Sequence, residues 1–154
     1  MNKMTQKKYP VSISLNVTFA EGIKSAKAAL HKIENYPDDK QLENMKFIAS
    51  NIFEVVRKEV ALDKPIIVSS FFRHKDLNKV IKGASKTSDH PKGSAMDLKK
   101  ASGAKYTNAD IFNFIKDNLD FDQLIWEKGD STEPKWVHVG LRRNVRNRKQ
   151  VLYK

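Results

Sequence analysis

Apolar positions along the chain recur at helical spacing in three long stretches and alternate in several short ones. In "TFAEGIKSAKAALHKIENYP", Phe19, Ile23, Ala26, Leu30 and Ile33 fall at helical intervals before an Asn-Tyr-Pro that a helix cannot run through. The spacing predicts a helix from about Ala20 to Glu34. "DDKQLENMKFIASNIFEVVRKEVALDKP" carries a stronger stripe of Leu42, Met45, Ile48, Ile52, Val55, Val56 and Val60, with Asp38 or Asp39 available as N-terminal cap. "TNADIFNFIKDNL" predicts a third amphipathic helix behind a Thr or Asn cap.

Between these lie shorter signals. "PIIVSSFF" is a β-branched run that reads as a buried strand, and "RHKDLNKVIKG" reads as a short helix closed by Gly83. "SAMDLKK" alternates as a strand. "FDQLIWE" and "WVHVGL" alternate on either side of a polar connector containing Gly129 and Pro134, which predicts an antiparallel hairpin. Near the start, "VSISLNV" suits either a strand or part of an extended arm over residues 1–17. Together these elements predict an α+β fold, a small and mostly antiparallel sheet packed with helices, in a single domain over residues 1–154.

Composition narrows the chemistry. A chain of 154 residues that is 40% hydrophobic can bury a core without covalent staples. It has no cysteine, so disulfides, thiolate nucleophiles and cysteine-ligated metals are excluded, and any metal must be held by carboxylates and the four histidines, His31, His74, His90 and His138. The formal net charge of +11 favours polyanions: nucleic acid, anionic lipid or an anionic cell wall. The N-terminus has no apolar signal region and no segment approaches a membrane span, so the chain is expected in the cytosol as synthesised.

The stretch "KTSDHPKGSAMDLKK" puts a histidine and an aspartate seven residues apart around Gly93. On a strand, Asp97 shares a face with Ala95 and not with Met96 or Leu98. A carboxylate facing inward needs a partner, and His90 could supply it or share a metal with it. If the "FDQLIWE" and "WVHVG" runs pair, Glu127 and His138 lie close together on one side of the sheet. Two histidines and a carboxylate with room for water are the composition of a hydrolytic zinc site, and Glu127 would be free as a base. Residue types and spacing leave an ordinary reading open too, in which Asp97 pairs with a lysine, His138 is a satisfied strand residue and Glu127 ends its strand.

"SDHPKGSAMD" resembles the Ser-x-His-x-x-Gly-x-Ala-x-Asp signature of the zinc D-alanyl-D-alanine carboxypeptidase superfamily, which includes phage endolysin peptidases and the hedgehog signalling domain. Ser88, His90, Gly93, Ala95 and Asp97 match all its fixed positions. "IIVSSFFRHKDLN", "FDQLIWE", "WVHVG" and "NRKQVL" are similar in order to a bacterial and phage branch, from about residue 15 to 152.

The resemblance implies a hedgehog and DD-peptidase-like fold with one zinc ion on His90, Asp97 and His138. It implies Ser88 as support for the first ligand beside the substrate, and Arg73 facing the substrate carboxylate or its developing oxyanion. Many relatives carry the base three residues before the last histidine, where this chain has Lys135; the hedgehog-like arrangement gives Glu127 instead, with Glu133 in reserve. Trp136 would line the cleft. Departures at Phe72, His74, Lys82, Ala84 and Gly140 touch the expected substrate groove.

The implied function is a zinc metallopeptidase (a hydrolase) that cuts peptidoglycan stem peptides, as a D-alanyl-D-alanine carboxypeptidase or a lysin-type endopeptidase. The source expected is a phage or prophage, whose enzyme waits in the host cytoplasm for release to the cell wall or travels with the virion. The alternative is a zinc-bearing binding or structural module without turnover. The basic run "RRNVRNRK" raises nucleic acid as a lesser reading, but no nucleic-acid motif accompanies it and such a partner is not expected.

Overall fold

A computed structural model describes residues 8–154. Its centre is a five-stranded sheet in the order β3-β4-β6-β5-β7, from β3 (Ile66–Ser70), β4 (Ala95–Lys100), β5 (Gln123–Glu127), β6 (Trp136–Gly140) and β7 (Gln150–Tyr153). Every neighbouring pair is antiparallel except β5 and β7. One face of the sheet is apolar: Met96, Leu98, Leu124, Val137 and Val139 are all fully buried in the core cluster. The other face carries a row in register across four strands, Ser70, Asp97, His138 and Ile125. Alternation separates the two sets of side chains, so the core and the polar row are fixed by the same register.

The helices cover the apolar face. Helix α3 (Asp39–Ile48) starts at Asp38, which forms a capping box with Gln41, and continues through a π-helical turn at Ala49–Phe53 into α4 (Glu54–Glu59). The wider turn shifts the apolar stripe, so that Phe53 joins Ile48, Ile52 and Val56 in the core. Helix α6 (Asn108–Asn118) starts at a capping box of Thr107 and Asp110 and buries Ile111, Phe112 and Ile115. Among the described residues no helix is long and apolar enough to cross a membrane.

Three local expectations change. The helix expected over about 20–34 is two short ones, α1 (Phe19–Ile23) and α2 (Ala26–Leu30), because Lys24 is extended and Ser25 accepts from the Ala28 N–H as a new cap. The helix after β3, α5 (Lys75–Val80), ends in an extended Ile81, and Gly83 with φ of +80° lies beyond it. Of the arm considered over residues 1–17, residues 1–7 lie outside the described residues; β1 (Ser12–Ser14) and β2 (Val17–Thr18) pair as a hairpin that buries Ile13 and Val17.

Strand β7, absent from the sequence reading, is held by a buried acid. Asp122 is fully buried, and its carboxylate accepts from Arg148 Nη2 at 2.8 Å and Nε at 3.1 Å, and from the Arg148 backbone N–H at 3.0 Å. Its carbonyl accepts from the Gln150 N–H at the start of β7. Burial alone would raise the Asp122 pKa; the hydrogen bonds from Arg148 and the charges of Arg142 and Arg148 outweigh it and lower the pKa instead. A depressed folded-state pKa contributes stability above the unfolded value of about 3.9, and that stability is lost as pH falls through the folded value. Asp122→Asn is expected to lower unfolding free energy by about 2–4 kcal/mol at neutral pH, below the range for a fully buried pair because Arg148 is half exposed. Urea denaturation at pH 7 and pH 3 checks this: the gap between parent and variant should narrow at the lower pH.

Candidate metal centre

His90 is delivered to the sheet by a turn. Residues His90–Lys92 form one turn of 3-10 helix closed by Gly93, whose φ is +74°. A Cβ at Gly93 would sit 2.5 Å from the Gln41 carbonyl oxygen and 2.8 Å from Met45 Cγ, so glycine is needed both for the backbone and for the close approach of α3. The His90 ring reaches the end of β3, where Nδ1 lies 2.7 Å from the Phe71 carbonyl oxygen. A carbonyl can only accept, so Nδ1 carries the proton and, in the neutral ring, Nε2 keeps its lone pair. The Ser88 hydroxyl accepts from the His90 N–H at 3.2 Å and steadies the turn.

Asp97 and His138 face each other across β4 and β6. Oδ1 of Asp97 lies 3.3 Å from His90 Nε2 and 3.0 Å from His138 Nδ1, and the donor atoms of all three residues fall within 4.8 Å of one another. Ligand atoms on a tetrahedral zinc stand about 3.4 Å apart, given bonds near 2.0–2.1 Å. Spacing, two imidazoles and one carboxylate therefore fit zinc, with a fourth position left for water or substrate. Burial alone would raise the Asp97 pKa, but the charges and hydrogen bonds of the two histidines hold the carboxyl well below the ordinary range. It is an anion, as a ligand must be.

Arg73 sits beside this group. Its Nη2 is 3.2 Å from Ser70 Oγ and 3.8 Å from Asp97 Oδ2, and Nη1 donates to Asn78 Oδ1 at 3.1 Å. Nε is buried and has no partner among the described residues. Burial lowers the Arg73 pKa and the Asp97 charge partly restores it; a guanidinium stays charged at these values.

The three clustered residues, Arg73, Glu127 and Trp136 all line one cleft of about 500 Å³, as does Ser88. Glu127 pairs with Trp136 one row along from Ile125 and His138, on the same face of the sheet. Its half-buried carboxylate has no hydrogen-bond partner among the described residues. Glu133 is elsewhere: its carboxylate accepts from the Asn108 N–H at 2.9 Å at the start of α6. His74 caps α5 by accepting from the Asp76 N–H, and His31 ends α2 on the surface. In the basic run, Arg142 and Arg148 bind buried aspartates and Arg143 Nε donates to Asn44, which leaves a smaller free basic face than the sequence suggests.

Asn35 is a supporting residue that the sequence reading passed over. It is buried, donates to the carbonyls of Ile23 and Phe72 at 2.8 and 3.0 Å, and accepts from the His74 N–H at 2.7 Å, so it clamps the backbone on both sides of Arg73. In sequence it is one polar residue in a helix-stop signal, with no periodicity to mark it. Asn35→Ala strands those backbone groups and is expected to cost about 2–4 kcal/mol of stability, measured by urea unfolding, whereas Tyr36→Ala next to it, half exposed, should cost less than half as much.

A sequence-family model described as Peptidase M15 matches residues 17–140 of the 154. No curated protein matches the chain in sequence.

Proposed function

We propose, from the premise that the chain belongs to the peptidase M15 family of zinc-dependent peptidases, that it is a single peptidase domain that hydrolyses the stem peptides of bacterial peptidoglycan, with one zinc ion on His90, Asp97 and His138. Zinc held there supplies a Lewis acid that polarises the scissile carbonyl and makes a water acidic enough to attack near neutral pH. The observation that carries the reading is Glu127, a carboxylate with no hydrogen-bond partner among the described residues that lines the same cleft as the three-residue cluster, one strand row from His138.

Each residue has a distinct task in this account. Glu127 accepts a proton from the attacking water as the water oxygen bonds to the carbonyl carbon, and returns it to the amine nitrogen as the C–N bond breaks. Arg73, which lines the cleft beside Asp97, faces the carbonyl oxygen with its guanidinium as negative charge develops there. Ser88 holds the His90 turn, and Trp136 gives the substrate an apolar wall beside Glu127. The net charge of +11 favours approach to an anionic cell wall, in keeping with a lysin of phage or prophage origin.

Purified muropeptides with intact stem peptides, incubated with the zinc-loaded protein and read by mass spectrometry, test the proposal. The parent should cleave them, and Glu127→Gln should lose at least about 100-fold in rate while binding as much zinc. Loss of one terminal alanine would make the enzyme a carboxypeptidase; an internal cut would make it an endopeptidase of the lysin kind. Zinc binding with no cleavage across a range of pH would contradict the proposal and favour a zinc module without turnover.

A further inference from the structure

The cleft has two ends. Glu127 and Trp136 stand at one, and at the other, beyond Gly140, are Arg142 and Arg148, which also line it. Both arginines lie outside the family match, in the closing segment of the chain. Both are fixed from behind. Arg142 donates from Nε and Nη2 to the buried Asp89 at 2.8 and 3.2 Å, and its Nε lies 3.4 Å from Asp122. Arg148 forks onto Asp122 through Nε and Nη2 at 3.1 and 2.8 Å. The backbone between them is pinned as well, since Asn147 accepts from the Arg142 N–H and donates to its carbonyl.

Each guanidinium thus spends two nitrogens on an aspartate, and no partner for Nη1 of either is found among the described residues. The side chains remain 30% and 51% exposed. Lys92 also lies 3.2 Å from Asp89, so three cations surround two buried carboxylates and the cluster keeps a positive excess. Immobilised donors with spare N–H groups and excess charge meet an anion at little entropic cost, because the ordering is complete before it arrives.

We infer that Arg142 and Arg148 form a second anion subsite in the cleft, separate from Arg73, that binds a carboxylate of an acidic peptide substrate. Arg142 lies four residues past His138 and is held by Asp89, the neighbour of His90, so the carboxylate recognised belongs to a stem-peptide residue near the bond that is cut and not to the scissile group itself. The enzyme then prefers stem peptides that carry a free carboxylate there over the same peptides with a carboxamide. The inference rests on the peptidase reading, and its test separates the two.

The probe is a pair of muropeptides identical except that this carboxylate is amidated in one, titrated calorimetrically into the zinc-loaded parent, Arg148→Gln and Arg148→Lys, each also carrying Glu127→Gln so that neither peptide is cut during the titration. The parent should bind the acid about 10- to 100-fold more tightly than the amide, the range for a hydrogen bond to a charged group. Both variants should bring the acid's affinity down to that of the amide. Arg148→Lys keeps a charge against Asp122, has no second nitrogen to turn to the cleft, and carries the test if Arg148→Gln fails to fold. Equal binding of the two peptides by the parent, or a preference that survives both substitutions, would overturn the subsite. If the parent nevertheless cleaves both peptides, the peptidase reading stands alone; if it neither binds nor cleaves either, both readings fail.

Discussion

A carboxylate in the middle of a buried strand has to be compensated, and that requirement at Asp97 organises the rest of the protein. Its side chain is almost wholly out of water, where an isolated charge is costly. The partners are His138, directly across β6, His90, brought in by a tight turn, and Arg73, leaning on Ser70 from the far side. Each partner in turn imposes something on the fold. His138 requires the β4–β6 register, since a slip of one residue would set Met96 or Leu98 in place of the acid and push it into the core. His90 requires a glycine at 93 and a helix packed close to it. Arg73 requires that the end of β3 be held, which Asn35 does.

Much of this was legible in the sequence wherever a periodic signal and a local constraint agreed. The stripe from Leu42 to Val60 and the capped run from Thr107 mark α3–α4 and α6 because each buries one face along its length. Alternation in "SAMDLKK", "FDQLIWE" and "WVHVG" separates site-facing from core-facing residues, and it gave the shared face of Glu127 and His138. The features that escaped depend on partners far along the chain. Asp89 and Arg142 are separated by 53 positions, and nothing local distinguishes that arginine from its neighbours in a basic run. Strand β7 is four residues long and pairs in parallel with β5, a connection with no turn signature. The helix over 20–34 broke because one serine cap outcompeted continuation, a balance that spacing does not reveal. The π turn at Ala49–Phe53 was equally invisible, since the stripe on either side of it looks continuous.

The closing segment changes how the cleft is understood. The family match ends at Gly140, yet the residues after it contribute an edge strand and two arginines at the cleft wall. Their aspartate partners sit next to His90 and at the entry of β5, so the same ion pairs that dock the end of the chain also steady the frame around the clustered histidines. Fold stability and cleft electrostatics are therefore built from shared parts. A basic run that on composition alone suggests a polyanion surface is, in space, partly spent on the protein's own buried acids.

Asp97 and its two histidines are spaced to hold a metal and not only to satisfy one another. Zinc content after loading and exhaustive dialysis, measured by inductively coupled plasma mass spectrometry on the parent and on His138→Ala, distinguishes the two. One zinc per chain is expected in the parent and almost none in the variant, with circular dichroism unchanged. A parent that retains no zinc, or a variant that retains as much, would contradict a metal site there.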